Sequence, residues 1–277
     1  MKKSKVMLFG AMALTAGLAL AACGSSQSSN ADKTYSYIFV NNPDTLDYIT
    51  STRDSTSSIT TNLIDGLLEN DQYGNLIPSM AESWTVSKDG LTYTYKIRQG
   101  AKWYTSEGEE YADVTAHDFV TGLKYAADKK AENLYLVQDS IKGLADYVEG
   151  KSSDFGTVGV KAVDDYTLQY TLNQPETYWN SKTTASILSP VNEAFLKSKG
   201  DDFGSVTPSS ILSNGPYLFK SFTSKSLIEF DKNPNYWDKD NVKIEKVKLS
   251  FFDGSDQDSI ARGFLDGNYT DGRIFPT

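Results

Sequence analysis

The chain has 277 residues, with 27 Lys and Arg against 36 Asp and Glu, and a formal net charge of −9 near neutral pH. Its 39% apolar and 23% charged residues are typical of a globular protein of one large domain or two modest ones. The acidic balance argues against nucleic acid as a partner, because neutralising phosphates takes clustered Lys and Arg. A single Cys and a single His exclude an internal disulfide and the usual zinc sites, so we expect neither a metal nor a cofactor.

The N-terminal segment predicts export from the cytoplasm. Residues 1–5 are basic, and the apolar run at 6–22 is shorter than the roughly 20 residues that a transmembrane helix needs. The run ends in Leu20-Ala21-Ala22 just before the sole cysteine, Cys23, which resembles the lipobox of bacterial lipoproteins. We therefore expect a lipid on the Cys23 thiol, the alternative being an ordinary signal peptide with an incidental cysteine. Residues 23–32 would form a flexible tether to the cell membrane.

Alternating apolar and polar side chains predict strands along most of the remaining chain. In chain order, they are a strand at 34–39, a strand at 91–98 after the turn Lys88-Asp89-Gly90, a hairpin at 158–162 and 168–172, and a hairpin at 217–222 and 227–230. Together with helices, these strands predict an α/β or α+β fold.

Two helices are predicted between the strands. Thr115 and Asp118 have the spacing of a capping box, and Phe119 and Leu123 continue with helical periodicity. A second periodic stretch, at residues 137–148, predicts a helix that ends at Gly150. The lone His117 falls in the capped turn, where a solvent-facing surface residue is expected rather than a base or a ligand.

Several ordered motifs carry a resemblance to a known family. Ala81-Glu82-Ser83-Trp84 is followed by matches at residues 89–103 and 114–120, and others lie at 64–69, 160–165, 214–217 and 232–237. Together they resemble the extracellular solute-binding proteins of family 5, the peptide-binding lipoproteins of ABC importers, and within it the Ami/Ali oligopeptide-binding group. Nothing matches the phosphate-binding loop of an ATPase, so the ATPase of such an importer would be another protein.

The resemblance implies a fold of the periplasmic-binding-protein type II kind, a mixed α/β fold with a first lobe and an inserted subdomain. Family members are considerably longer, so the second lobe is expected to be missing. The expected divisions are a signal peptide at 1–22, a lipidated Cys and tether at 23–32, a peptide-facing lobe at 33–64 and 181–277, and an inserted subdomain at 65–180. The lobe would end at the crossing to the absent second lobe.

The implied function is an extracytoplasmic, lipid-anchored receptor that captures oligopeptides for ABC permease subunits and works as a monomer. Matching Thr45-Leu46-Asp47 to the family places peptide contacts at Thr52, Arg53 and Asp54, and the Asn214-Gly215-Pro216-Tyr217 turn adds Asn214, Gly215 and Tyr217. The alternatives are that 52–54 is a plain surface loop and that Tyr217 is a core residue of a strand.

Two other functions compete with this one. The chain could be a truncated fragment of such a receptor that binds nothing productively. It could also be an extracellular, lipid-anchored hydrolase, although the sole His has no Ser-rich elbow beside it, and a pair of carboxylates has no supporting motif. We therefore expect no catalytic residue.

Overall fold

The computed structural model describes residues 33–256 and 258–272, so the predicted signal peptide and Cys23 lie outside the described residues. The strands are β1 (Thr34–Phe39), β2 (Leu68–Asn70), β3 (Leu76–Pro78), β4 (Ala81–Val86), β5 (Thr92–Ile97), β6 (Lys102–Tyr104), β7 (Glu110–Asp113), β8 (Val160–Asp164), β9 (Thr167–Thr171), β10 (Tyr217–Thr223), β11 (Leu227–Lys232) and β12 (Lys246–Phe251). The α-helices are α1 (Asp54–Thr60), α2 (Ala116–Lys129), α3 (Leu144–Val148), α4 (Trp179–Lys182), α5 (Glu193–Lys199) and α6 (Asp258–Leu265).

The β1 sheet has the strand order β1-β12-β11-β10. Its first strand is the one that alternation predicted, and it pairs in parallel with β12, with Thr34 opposite Lys246. The other neighbours are antiparallel, and β10 and β11 form the predicted hairpin. The hairpin turns through Lys225, whose φ of 52° is left-handed. Phe219 of β10 and Phe230 of β11 lie opposite each other and are both buried in the core.

The β5 sheet has the order β4-β5-β9-β8 and is antiparallel throughout. In β5, Tyr93, Tyr95 and Ile97 are buried, as the alternation predicted. The hairpin of β8 and β9 is confirmed as well. Two short hairpins, β2 with β3 and β6 with β7, form two further two-stranded sheets.

Helix α2 packs against β8 and β9 and begins with the predicted capping box. The Asp118 carboxylate accepts a hydrogen bond from the Thr115 amide at 2.8 Å and another from the Trp103 indole at 3.1 Å. Phe119 and Leu123 are fully buried beneath the helix. His117 is exposed, as predicted, and its Nε2 lies 3.3 Å from Asp165 Oδ1.

The second predicted helix is wrong over most of its length. Only α3 is helical there, preceded by a 3₁₀ turn at Glu132–Leu136 and by other turns. Gly143 has a φ of +72°, and a Cβ on it would lie 2.8 Å from the Thr157 carbonyl oxygen. Ile141 pairs with Leu172 by an isolated bridge instead of continuing a helix. The apolar residues at helical spacing are fully buried except for Val148, which is half-buried. A close approach of two backbones nevertheless overrides their helical tendency.

One continuous apolar core joins the two sheets, with Phe219 and Phe230 from the β1 sheet and Tyr95 and Tyr170 from the β5 sheet. Residues 34–256 and 258–272 belong to one compact unit. The β1 sheet takes its strands from 33–64 and 181–277, whereas the β5 sheet lies wholly within 65–180. The division into a lobe and an inserted subdomain stays a prediction. Its expected boundary at residue 180 falls inside α4. No described helix has the length and apolar character needed to cross a bilayer.

Candidate ligand-binding cleft

A cleft of about 1160 Å³ opens over the end of the β1 sheet where β1 and β12 pair. Its floor is apolar because the parallel register places Tyr35 beside Val247 and Tyr37 beside Leu249, so these side chains share one face. Phe230 of β11, which pairs with Val247, extends the floor toward the core. The floor can therefore bury apolar side chains of a ligand.

One wall of the cleft is polar and comes from α1 and its flanks. Ser55, Ser58 and Asn62 line the cleft at helical spacing. On the other side of the same segment, Ile59 and Leu63 are fully buried in the core. The side-chain Nδ2 of Asn62 donates a hydrogen bond to the Ser58 carbonyl at 2.8 Å. This wall offers hydroxyl and amide groups opposite an apolar floor, an arrangement that suits a polar backbone carrying apolar side chains.

The rim of the cleft carries its charged groups. Arg53, Asp54 and Asp44 all line it, and Arg53 Nη1 lies 3.2 Å from Asp44 Oδ2 in an exposed ion pair. Asn42 ties the rim to the hairpin of the β1 sheet, since it donates to Ser224 Oγ at 2.8 Å. An exposed ion pair of this kind contributes little to folding stability. Because both side chains are exposed, the two charges remain accessible to polar groups of a ligand.

Three of the six residues predicted to contact a peptide line this cleft together, namely Arg53, Asp54 and Tyr217. The Tyr217 hydroxyl donates to the Ile244 carbonyl at 3.1 Å, so its ring is fixed at the cleft wall. Thr52 is not among the lining residues, and its hydroxyl donates to Glu132 Oε2 at 2.9 Å. Ligand contact by any of the six residues stays a prediction.

Asn214 and Gly215 are not among the residues that line the cleft. Asn214 is 2% exposed, and its side chain accepts from the Asp65 amide at 2.9 Å and donates to the Asp65 carbonyl at 3.1 Å. The Gly215 amide donates to the Leu63 carbonyl at 2.8 Å, and a Cβ on Gly215 would lie 2.7 Å from the carbonyl carbon of Leu63. In the structure these two residues hold the chain that follows α1 against the start of β10, which brings Tyr217 close to α1.

Sequence reasoning missed most of the lining. The aromatic alternation in β1 marks Tyr35 and Tyr37 as one face, but it does not distinguish a cleft floor from a core. The polar stripe of α1 was also missed, although its spacing in the sequence could have indicated it. Among the described residues, no group of three or more His, Cys, Asp or Glu side chains is placed to hold a metal ion. The cleft offers an apolar floor, hydroxyl and amide groups on its wall, and two opposite charges at its rim.

Such a cleft beside a mixed sheet, in a two-sheet α/β framework, is typical of solute-binding proteins, and comparison with known proteins identifies the family. Residues 75–277 match the family model of bacterial extracellular solute-binding proteins, family 5 Middle. The chain belongs to this family, which confirms the resemblance.

The chain is similar to curated streptococcal proteins over nearly its whole length. It is 64% identical over 274 residues to the oligopeptide-binding protein AliB of Streptococcus pneumoniae, which covers 99% of this chain and 42% of AliB. It is 59% identical over 280 residues to the oligopeptide-binding protein AmiA of the same species, covering 100% of this chain and 42% of AmiA. The chain thus spans well under half the length of these relatives.

Solved structures confirm the predicted mixed α/β fold. The peptide-bound OppA of Listeria monocytogenes matches with a TM-score of 0.77 and 29% identity, over 86% of this chain and 45% of that one. The structure of the pheromone receptor PrgZ, which was described together with its mode of peptide binding, matches with a TM-score of 0.77 and 27% identity. The match covers 86% of this chain and 46% of that one. The described fold therefore corresponds to less than half of each of these receptors.

Proposed function

We propose that this chain provides one side of the oligopeptide-binding cleft of an extracytoplasmic receptor for an ABC peptide importer. The observation that carries the proposal is the cleft itself, with an apolar floor, a polar wall and a charged rim, in a chain 64% identical to an oligopeptide-binding protein. The peptide is the substrate, and permease subunits in the membrane are the partners that receive it. The proposed role is transport and not catalysis.

The surface of the cleft suits an extended peptide in three respects. Apolar side chains can pack on Tyr35, Tyr37 and Leu249, which gives affinity through burial without selecting one sequence. Backbone amides and carbonyls can bond to the polar stripe of α1, directly or through water. Arg53 and Asp54 can pair with carboxylate and ammonium groups of the peptide, since both side chains are exposed at the rim.

The binding claim is tested by calorimetry of the chain with a pool of random-sequence heptapeptides. Arg53→Ala should weaken binding by about fivefold to tenfold, because it removes a charged hydrogen-bond donor from the rim. Arg262→Ala is the matched control, since Arg262 also is an exposed arginine paired with an aspartate, Asp256, and it does not line the cleft. Absence of binding by the unsubstituted chain, or equal weakening in both variants, would contradict the proposal.

We also propose that the receptor is a lipoprotein anchored through Cys23 on the outer face of the cell membrane. The support is the sequence pattern of a basic start, a short apolar run and a cysteine after small residues. Cys23→Ala should abolish labelling by a radioactive fatty acid and release the protein from the membrane fraction. If the variant stays labelled and membrane-bound, the anchor lies elsewhere.

A further inference from the structure

We propose that Asp47 is a positioning residue for the cleft: its buried carboxylate, held by Tyr125 of α2, fixes the loop that presents Arg53 and Asp54. The inference rests on the proposed function, because it concerns the cleft in which peptides would bind. Asp47 lies in the loop between β1 and α1 and does not line the cleft itself.

The carboxylate of Asp47 organises its own loop. Oδ1 accepts hydrogen bonds from the amides of Ile49 at 3.1 Å and Thr50 at 3.2 Å, and Oδ2 accepts one from the Thr50 hydroxyl at 2.7 Å. Asp47 is only 7% exposed, and a carboxylate buried to that extent is costly unless donors surround it. The loop and the carboxylate therefore depend on each other for their conformation.

The fourth donor comes from a different part of the fold. The Tyr125 hydroxyl of α2 donates to Asp47 Oδ2 at 2.9 Å, and its ring packs edge-on against Phe203 at 5.5 Å. Burial raises the pKa of Tyr125 above its usual value, so the hydroxyl stays protonated and remains a donor at physiological pH. This bond connects the loop to the helix that covers the β5 sheet.

A second contact holds the backbone of the loop in the same place. The Gly204 carbonyl accepts from the Leu46 amide at 2.5 Å and from the Thr45 hydroxyl at 2.9 Å. Gly204 has a φ of +74°, and a Cβ on it would lie 2.5 Å from the Asp47 amide nitrogen. The loop is thus clamped between α2 and the segment around Gly204, with no room for a side chain at the contact.

Hydrogen bonds connect this loop to α1, which forms the polar wall of the cleft. The Thr56 hydroxyl of α1 donates to the Thr45 carbonyl at 2.9 Å, and the Ser51 hydroxyl donates to Thr56 Oγ1 at 3.0 Å. Arg53 and Asp54 lie between Ser51 and Thr56 in the chain, so both ends of their segment are tied to the clamped loop. A cleft held ready in this way binds without first ordering its own backbone, which increases affinity.

The test compares Tyr125→Phe with Tyr147→Phe in the full chain. Each change removes one tyrosine hydroxyl that donates to an aspartate, Asp47 in the first case and Asp128, at 2.6 Å, in the second. Tyr147 does not line the cleft. Three quantities are measured for each variant: the affinity for the random heptapeptide pool, the unfolding midpoint in urea, and the ¹H–¹⁵N cross-peaks of Arg53 and Asp54 without peptide.

Tyr125→Phe should weaken peptide binding about tenfold, equivalent to about 1.4 kcal/mol, and should shift the cross-peaks of Arg53 and Asp54. Tyr147→Phe should leave both unchanged. Unchanged affinity in Tyr125→Phe, or equal weakening in the two variants, overturns the proposal. If the unsubstituted chain binds no peptide, the proposed function fails, and the cross-peaks alone then test the positioning role of Asp47. Shifts of the Arg53 and Asp54 cross-peaks that occur only in Tyr125→Phe support this role, and their absence overturns it.

Discussion

Replacing Asp65 by Asn removes a negative charge that the fold buries between the end of α1 and the segment after β11. Asp65 is 7% exposed, and its Oδ2 accepts hydrogen bonds from the Tyr236 hydroxyl at 2.8 Å and the Trp237 indole at 3.1 Å. Burial raises the pKa of this carboxyl from 3.8 to about 6, since the two hydrogen bonds offset only part of the desolvation. The ionised form is therefore disfavoured in the folded state.

The raised pKa of Asp65 determines in which direction, and by how much, Asp65→Asn changes the stability of the fold. Because the pKa is higher in the folded chain, the contribution of Asp65 to stability is fully present below the unfolded-state pKa and is lost as the pH rises to about 6. A shift of about 2 pKa units corresponds to about 3 kcal/mol in the free energy of unfolding. Asparagine is neutral and can accept the same two hydrogen bonds through its side-chain oxygen. Asp65→Asn should thus stabilise the chain above pH 6 by up to about 3 kcal/mol.

Urea unfolding, followed by tryptophan fluorescence at about pH 4.5 and about pH 7.5, measures this gain and its dependence on pH. The control is Asp71→Asn, because hydrogen bonds from Asn75 lower the pKa of the exposed Asp71 carboxyl, so this variant should lose stability at the higher pH. The reasoning is refuted if Asp65→Asn is less stable than the unsubstituted chain at the higher pH. It is also refuted if the difference between the two is the same at both pH values.

Three further substitutions test the packing described above. Gly204→Ala should lower the free energy of unfolding by about 2–4 kcal/mol, because its left-handed backbone and the contact with Asp47 both oppose a Cβ. Gly150→Ala, with a φ of +77° and open space around it, should cost only about 1–2 kcal/mol, and equal losses in urea unfolding would contradict the steric argument. Trp103→Phe should cost about 2–4 kcal/mol, because it leaves a void at a residue that is 1% exposed and removes the indole donor to Asp118. An unchanged urea midpoint for this variant would show that the core closes over the void.

Local signals in the sequence were sufficient for much of the fold. The strands β1 and β5, both predicted hairpins and the capped start of α2 each follow from side-chain alternation or from a capping pattern over a few residues. The predicted helix at 137–150 failed because its outcome depends on Gly143 meeting Thr157, a contact that the local pattern does not contain. Periodicity identified the buried residues there, but not their backbone conformation.

The cleft was only partly predictable for a related reason. Arg53 and Tyr217 line the same cleft because Asn214 and Gly215 bind the backbone after α1, far away in the sequence. The floor depends on the parallel pairing of β1 with β12, which no alternation pattern specifies. Resemblance to the family predicted peptide contacts at 52–54, of which Arg53 and Asp54 line the cleft, whereas the aromatic floor required knowledge of which strands are neighbours.

The pairing of β1 with β12 also has a consequence for how the chain reaches its native state. Thr34 of β1 has its partner, Lys246, near the opposite end of the described chain. Strand β1 therefore cannot join its sheet until almost all of the described chain has been synthesised. Contacts this distant in sequence slow folding, because a very long loop must close before they form. Until then, the aromatic face of β1 stays uncovered in an extended segment, which invites association with other unfolded chains. Early synthesis of this protein should therefore be the stage at which a holding chaperone is needed most.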